Sequence, residues 1–180
     1  AAVVPGGGSR YTAVQHAAAA LVKHLQLMIK AGAMTFPGSS GADGCGAGQE
    51  IFPTSYGNAL GFDAATKVVE LGGGTPTAAT LAALVSKLQA LPGKTVVVLA
   101  TDGGPNCNDA AMCDASECME NIEGCLPQDD CCALGKNCCA TSGPAGPLNC
   151  VDHQPSVQAV AALAAAGIKV YVVGIRGRLA

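Results

Sequence analysis

The sequence is poor in aromatic and charged residues. It has no Trp, and aromatic residues make up 3% and charged residues 13% of its 180 positions, whereas 49% are hydrophobic. A core must therefore be built from Ala, Val, Leu and Ile, and a chain of this composition is not expected to be intrinsically disordered. The length is that of a single domain.

Two other features are missing from the sequence. No apolar run approaches the roughly 18 residues that a membrane-spanning helix needs, so no transmembrane segment is predicted. The ten basic residues are spread along a chain with a net charge of −3, so there is no cationic stripe of the kind that binds a phosphate backbone. We therefore expect no nucleic-acid partner.

Cysteine, by contrast, is abundant and clustered. An even number at this density favours a disulfide framework in an oxidising compartment, as in secreted or cell-surface proteins. The ten cysteines are Cys45, Cys107, Cys113, Cys118, Cys125, Cys131, Cys132, Cys138, Cys139 and Cys150. Zinc sites of four cysteines are the alternative, although no C-x2-C spacing is present. Because Cys45 alone lies outside the cluster, we expect it to tether the clustered region to a neighbouring loop.

Hydrophobic patterns divide the remaining chain into alternating helices and strands. Helices are predicted at residues 11–28, 63–71, 75–91 and 155–166. Strands are predicted at residues 29–36, 95–100 and 168–175, with 95–100 covered on both faces and 168–175 also buried, and residues 38–57 are predicted to form a loop. This order predicts an α/β fold with a Rossmann-like, doubly wound, mostly parallel sheet that has helices on both faces.

One irregular insertion, residues 105–152, interrupts this alternation. Residues 103–152 contain eight acidic residues and one Lys, whereas the rest of the chain contains five acidic and nine basic residues. The sequence therefore predicts an acidic, cysteine-rich insertion on a mildly basic scaffold.

Two loops are candidates for binding a ligand. Asp102 follows the apolar run at 95–100, and α/β sheets bind ligands at the carboxyl ends of their strands. A carboxylate there must be paired or bind a cation, unless it caps its own turn on the amides that follow. The second loop, residues 72–77, is rich in glycine and precedes a helix, but it lacks the Lys and the spacing of a phosphate-binding loop.

The histidines are weaker candidates. His16 and His24 lie about 80° apart around one predicted helix, which argues against a shared metal ion. His153 beside Asp152 could be a base with its orienting carboxylate, but no nucleophile at a known spacing accompanies this pair. The adjacent carboxylates at 129 and 130 lack the spacing of a calcium loop, and no G-x-S-x-G motif is present. We therefore expect no enzymatic activity.

Several of these segments together resemble the von Willebrand factor type A family. The run Gly73-Gly74-Thr75-Pro76-Thr77, about 25 residues before Val97-Val98-Leu99-Ala100-Thr101-Asp102-Gly103, is similar to the family's second and third metal-site motifs. Residues 31–36 are similar to its second strand, and residues 165–175 to a later helix and strand. The segment at 102–107, with the cysteine-rich insertion, looks most like predicted secreted bacterial members.

The resemblance implies an extracellular adhesion or protein-binding module with a metal-ion-dependent adhesion site. The Thr75 hydroxyl and the Asp102 carboxylate would hold Mg²⁺, or else Mn²⁺ or Ca²⁺, often through water. One coordination position would remain for a carboxylate of a protein partner. The family's first motif, Asp-x-Ser-x-Ser, has no match in residues 1–9.

The resemblance also implies how residues 1–180 are organised. They would form a single domain of this family, and because the family's domain is longer, we expect it to be truncated at both ends. The alternative function is a metal-independent structural or interaction domain that recognises partners through its acidic, disulfide-rich insertion.

Overall fold

The computed structural model describes residues 9–38, 44–69, 72–101, 103–108 and 151–175. In these residues the chain forms four helices and four strands. Their order is α1 (Arg10–Leu25), β1 (Lys30–Thr35), β2 (Gln49–Tyr56), α2 (Ala59–Lys67), α3 (Thr77–Gln89), β3 (Val96–Thr101), α4 (His153–Ala165) and β4 (Lys169–Gly174). The predicted mixed α/β class is confirmed. Most of the predicted insertion lies outside the described residues.

Helix α1 is fixed at its start and along one side by polar contacts. The Ser9 hydroxyl accepts a hydrogen bond from the Thr12 backbone N–H at 3.1 Å, which satisfies a donor that a helix N-terminus leaves unpaired. Further along, the buried Gln15 donates from Nε2 to Asp63 Oδ1 at 2.9 Å and to Thr66 Oγ1 at 3.1 Å. Both acceptors lie on α2, so α1 and α2 are joined by hydrogen bonds.

Helix α2 begins and ends earlier than the predicted range of 63–71. Asn58 caps it, because its Oδ1 accepts a hydrogen bond from the Gly61 N–H at 3.0 Å. Beneath α1 and α2 lies a small core in which two phenylalanine rings meet edge to face, with centroids 5.6 Å apart. The buried members of this core are Val22, Phe52, Ala59 and Phe62.

Strand β2 corrects the prediction that residues 38–57 form a loop. It pairs with β1 in antiparallel fashion, from Lys30 opposite Tyr56 to Thr35 opposite Gln49, and the register shifts between Ala31 and Ala33. Pro53 lies on β2 where the register shifts, and proline, which has no N–H to donate, is tolerated at such bulges and at sheet edges. The loop prediction was wrong because glycines upstream of β2 and Pro53 within it obscure the strand.

Strands β3 and β4 form a parallel pair. They run in register from Val96 opposite Lys169 to Thr101 opposite Gly174, and α4 lies between them in the chain, as parallel strands require a crossover. Helix α4 ends at Ala165, and Gly167, two residues further on, has φ +78°, a left-handed value that glycine adopts without strain. The core between this pair and helices α3 and α4 consists of Leu81, Leu99, Ala159, Leu163 and Ile168.

The other face of the parallel pair is largely exposed, which corrects the prediction that these strands are buried. Val97 and Val170 pack against the α3/α4 core, whereas the side chains that alternate with them point away from it. These are Val96, Val98, Tyr171 and Val173, which are 54%, 60%, 54% and 48% exposed. We call these four residues the open face. An apolar run predicts a strand, but it does not reveal how many layers cover it.

The expected doubly wound sheet is not what the described strands form, since they make two separate two-stranded sheets. Helix α3 links the two. The Gly48 N–H donates to Thr80 Oγ1 of α3 at 2.9 Å, and Lys87 of α3 pairs with Glu50 of β2. Phe36, just after β1, packs on the α3/α4 core. None of the helices in the described ranges is long and apolar enough to cross a membrane.

Candidate functional site

Three loops come together at the carboxyl end of β3. They are residues 44–48 before β2, residues 72–76 before α3, and residues 103–108 after β3, and we call them together the rim. The Gly74 N–H donates to the Gly44 carbonyl at 2.9 Å, and the Asn106 N–H donates to the Thr75 carbonyl at 3.0 Å. The central loop is thus bonded to the loop on each side of it. The carboxyl ends of parallel strands are where open α/β sheets bind ligands.

The first of these contacts depends on two glycines. Gly44 and Gly73 both have positive φ values, of +72° and +96°, which L side chains rarely adopt. A Cβ atom added to Gly73 would lie 2.6 Å from the Gly44 carbonyl oxygen, and one added to Gly44 would lie 2.7 Å from Gly73 Cα. Two backbones therefore approach so closely here that neither position has room for a side chain.

Thr75 is clamped at its backbone by Asn106. Its N–H donates to Asn106 Oδ1 at 2.5 Å, and its carbonyl accepts from the Asn106 N–H. Asn106 has no exposed surface, so both hydrogen bonds are shielded from water and breaking them leaves buried polar groups unpaired. The Thr75 hydroxyl, by contrast, has no hydrogen-bond partner among the described residues. The rim thus fixes the backbone of Thr75.

A disulfide bond closes the rim. Cys45 in the first loop is bonded to Cys107 in the third, 62 residues away in sequence. Cys107 has φ +72°, a left-handed conformation that is uncommon outside glycine. This bond ties Cys45 to a neighbouring loop, as the sequence led us to expect. The other eight cysteines of the predicted framework lie outside the described residues.

Asp152 is a buried carboxylate where the chain enters α4. Its N–H donates to the Pro105 carbonyl at 2.5 Å, its Oδ1 accepts from Asn108 Nδ2 at 2.8 Å, and its own carbonyl accepts from the Ser156 hydroxyl at 2.7 Å. Burial raises the pKa of the Asp152 carboxyl, while the Asn108 hydrogen bond and the nearby His153 act to lower it. Asp152 thus fastens the start of α4 to the third rim loop.

The predicted site residues have different outcomes. Thr75 lies on the rim, whereas Asp102 lies outside the described residues. His16 and His24 are exposed on α1, and His153 is exposed at the start of α4. The hydrogen bond that the Asp152 carboxylate accepts comes from Asn108, so the structure does not support a base oriented by Asp152. Across the described ranges, no three His, Cys, Asp or Glu side chains are grouped to hold a metal ion.

The role of Asn106 is not evident from the sequence. Its signal was weak, because a lone Asn between Pro105 and Cys107 reads as an ordinary turn residue. The partner that gives Asn106 its importance is Thr75, which lies 31 residues earlier. The pairing becomes evident only in the folded structure, where the loop before α3 lies beside the loop after β3.

No protein-family model, no curated protein and no solved structure matches this chain.

Proposed function

We propose that the chain is a secreted or cell-surface binding module that engages an acidic group of a protein partner through a divalent cation. The proposal starts from the resemblance of residues 73–77 and 97–103 to the metal-site motifs of von Willebrand factor type A domains. It includes that family's doubly wound sheet as the framework, which the parallel pair β3 and β4 with its α4 crossover supports.

One structural observation carries the proposal. Thr75, from one motif, is hydrogen-bonded through its backbone to Asn106, in the loop that begins one residue after Asp102 of the other motif. Two sequence motifs that were linked only by resemblance therefore belong to neighbouring loops. The hydroxyl of Thr75 is one oxygen donor that we assign, and the Asp102 carboxylate is the second.

The chemistry of these donors fits Mg²⁺ better than a softer metal ion. Hydroxyl and carboxylate oxygens are hard ligands, and Mg²⁺ characteristically retains several water molecules when few protein groups bind it. Thiolate ligands are not offered at the rim, since Cys45 and Cys107 are joined to each other. When bound, the cation would supply positive charge, and a carboxylate of the partner would complete its coordination shell. Thr75 and Asp102 would hold it, and no covalent step is needed.

Isothermal titration calorimetry with Mg²⁺ and Mn²⁺ tests the cation site. We expect binding by the wild-type chain and its loss in Asp102→Ala. Binding that is unchanged in that variant would contradict the assignment of Asp102. Once a partner is found, EDTA separates this function from recognition by the insertion: EDTA should abolish partner binding, whereas binding that survives EDTA but not removal of residues 109–150 would favour the metal-independent alternative.

A further inference from the structure

The disulfide between Cys45 and Cys107 joins the two loops that hold the Thr75 loop. Cys45 directly follows Gly44, whose carbonyl accepts the hydrogen bond from Gly74. Cys107 directly follows Asn106, which bonds both the N–H and the carbonyl of Thr75. Each cysteine is thus one residue away from a group that contacts the central loop. The disulfide therefore connects the two loops that lie on either side of the Thr75 loop. We call the two hydrogen bonds between Thr75 and Asn106 the clamp.

Hydrogen bonds also hold the two outer loops. In the first loop the Gly48 N–H bonds Thr80, and in the third the Pro105 carbonyl and the Asn108 side chain bond Asp152. The disulfide is the covalent link between the two loops. The first loop consists, apart from its cysteine, of Gly44, Gly46, Ala47 and Gly48, which bury little apolar surface. In the third loop, Cys107 adopts a left-handed backbone conformation that is unfavourable for a residue with a Cβ. Loss of the bond would remove the covalent restraint on Cys107, which directly follows Asn106.

We propose that this disulfide is a redox control on the rim. In the oxidised protein it keeps Asn106, the positioning residue, bonded to Thr75, and its reduction releases Asn106 and lowers the affinity for the divalent cation. The cation part rests on the proposed function. The effect of the disulfide on the hydrogen bonds between Asn106 and Thr75 does not rest on it, because those bonds exist whether or not a cation binds.

The switching reaction is thiol–disulfide exchange with a dithiol. One thiolate of the dithiol attacks a sulfur of the bond between Cys45 and Cys107, forms a mixed disulfide and expels the other cysteine as a thiolate. The second thiolate of the dithiol then attacks the dithiol's own sulfur in the mixed disulfide and expels the remaining cysteine. The protein gains two thiols, and the dithiol becomes a disulfide. Two electrons and two protons pass from the dithiol to the protein.

Amide hydrogen exchange, followed by NMR on the full chain, measures the clamp directly. In Cys45→Ala/Cys107→Ala we expect the Thr75 N–H to exchange about tenfold faster or more, because its acceptor is no longer held in place. The Ile168 N–H, which bonds the Leu163 carbonyl at 2.9 Å in the α3/α4 core, is the internal reference and should be unchanged. Faster exchange at both amides would mean that the bond stabilises the whole fold and would overturn the proposal.

Reduction of the wild-type chain with a dithiol is the second arm, and it does not depend on a substitution. It should speed exchange at Thr75 as the double variant does. The same dithiol should have no further effect on Thr75 in the double variant, since the responsible bond is already absent. A further effect there would assign the control to other disulfides and overturn the proposal.

Calorimetry with Mn²⁺ completes the experiment. We expect the double variant to bind roughly 10- to 100-fold more weakly, which is typical when a group that orients a metal ligand is lost. Unchanged Mn²⁺ affinity together with unchanged Thr75 exchange would contradict the redox control. No Mn²⁺ binding by the oxidised wild-type chain would contradict the proposed function and the cation part, while the exchange rate of Thr75 still decides whether the disulfide holds the clamp.

Discussion

The rim and the open face both adjoin the parallel pair of strands β3 and β4, but they differ in composition and in the contacts that hold them. The rim consists mostly of small and polar residues, yet its loops are held by buried hydrogen bonds, by a close approach of two glycines and by a disulfide. The open face consists of large apolar side chains, three of them more than half exposed. Apolar character alone therefore does not mark which parts of this molecule are tightly held, since polar and covalent contacts hold the rim loops together.

This difference has a consequence for mutations. Substitutions in the α3/α4 core should lower stability, substitutions at the rim should change local structure and binding, and substitutions on the open face should do little to the monomer. Four comparisons, each with its own variants, test these expectations.

The largest effect is expected in the core. Leu163 has no exposed surface, and Leu163→Ala should lower the free energy of unfolding by about 2–5 kcal/mol through lost burial and a residual cavity. Val98→Ala, on the open face, is the matched control and should cost less than about 0.5 kcal/mol. Urea unfolding measures both. A cost at Val98 close to that at Leu163 would show that the open face is covered in solution.

The next largest effect is expected at Asn106. Asn106→Ala removes the acceptor for the Thr75 N–H and should cost about 1–3 kcal/mol, because a buried donor is left unpaired. Asn106→Asp keeps an acceptor oxygen, and at acidic pH, where its buried carboxyl is protonated and uncharged, it should retain more of the stability. Urea unfolding compares the two variants, and equal losses would contradict the hydrogen bond as the source of the effect.

A smaller effect is expected at two glycines. Comparing them separates the cost of the backbone conformation from the cost of a steric overlap. Gly93 has φ +94° with nothing near an added Cβ, whereas Gly73 has φ +96° and meets the Gly44 backbone. Gly93→Ala should therefore cost about 1 kcal/mol from its backbone conformation alone. Gly73→Ala should cost more, because the loops must also separate. Thermal or urea unfolding of both variants checks this, and equal costs would mean that the first and second rim loops are not in contact.

The smallest effect concerns pH. Since burial raises the pKa of Asp152, the folded state binds this proton more tightly than the unfolded state. The stabilising contribution of the protonated group is present at low pH and is lost as the pH rises from the ordinary value of 3.8 through the folded value. Asp152→Asn keeps an acceptor for Asn108 and should remove this loss, so its advantage over wild type should grow as the pH rises. Unfolding midpoints of both proteins, measured from acid to neutral pH, check this. A difference between the two midpoints that stays constant with pH would contradict it.

Much of the secondary structure could be predicted because it depends on local patterns. Strands β1, β3 and β4 and the start of helix α1 lie within one or two residues of their predicted bounds. Apolar spacing, the Ser9 N-cap and Gly167 mark these elements in the sequence. Strand β2 could not be predicted, because Pro53 and its glycine-rich approach are signals of a loop. The separation of the strands into two sheets is a tertiary property that no local pattern reveals.

The candidate site was predictable only where the residues themselves carry chemistry. Thr75 and Asp102 stand out by residue type and by resemblance, and Cys45 by its isolation from the other cysteines. Asn106 and the pair Gly44 and Gly73 do not stand out, since their importance lies in contacts between loops that are far apart in sequence. Their discovery required the fold.

The central claim is that the Thr75 hydroxyl binds a divalent cation, and titration of Mn²⁺ into variants that differ only in that hydroxyl tests it most directly. Thr75→Ser keeps the oxygen and should bind Mn²⁺ with an affinity close to that of wild type. Thr75→Ala should lose measurable binding, while Thr54→Ala, on the exposed side of β2 away from the rim, should be unaffected. Equal Mn²⁺ affinities for Thr75→Ala and Thr75→Ser would contradict the account.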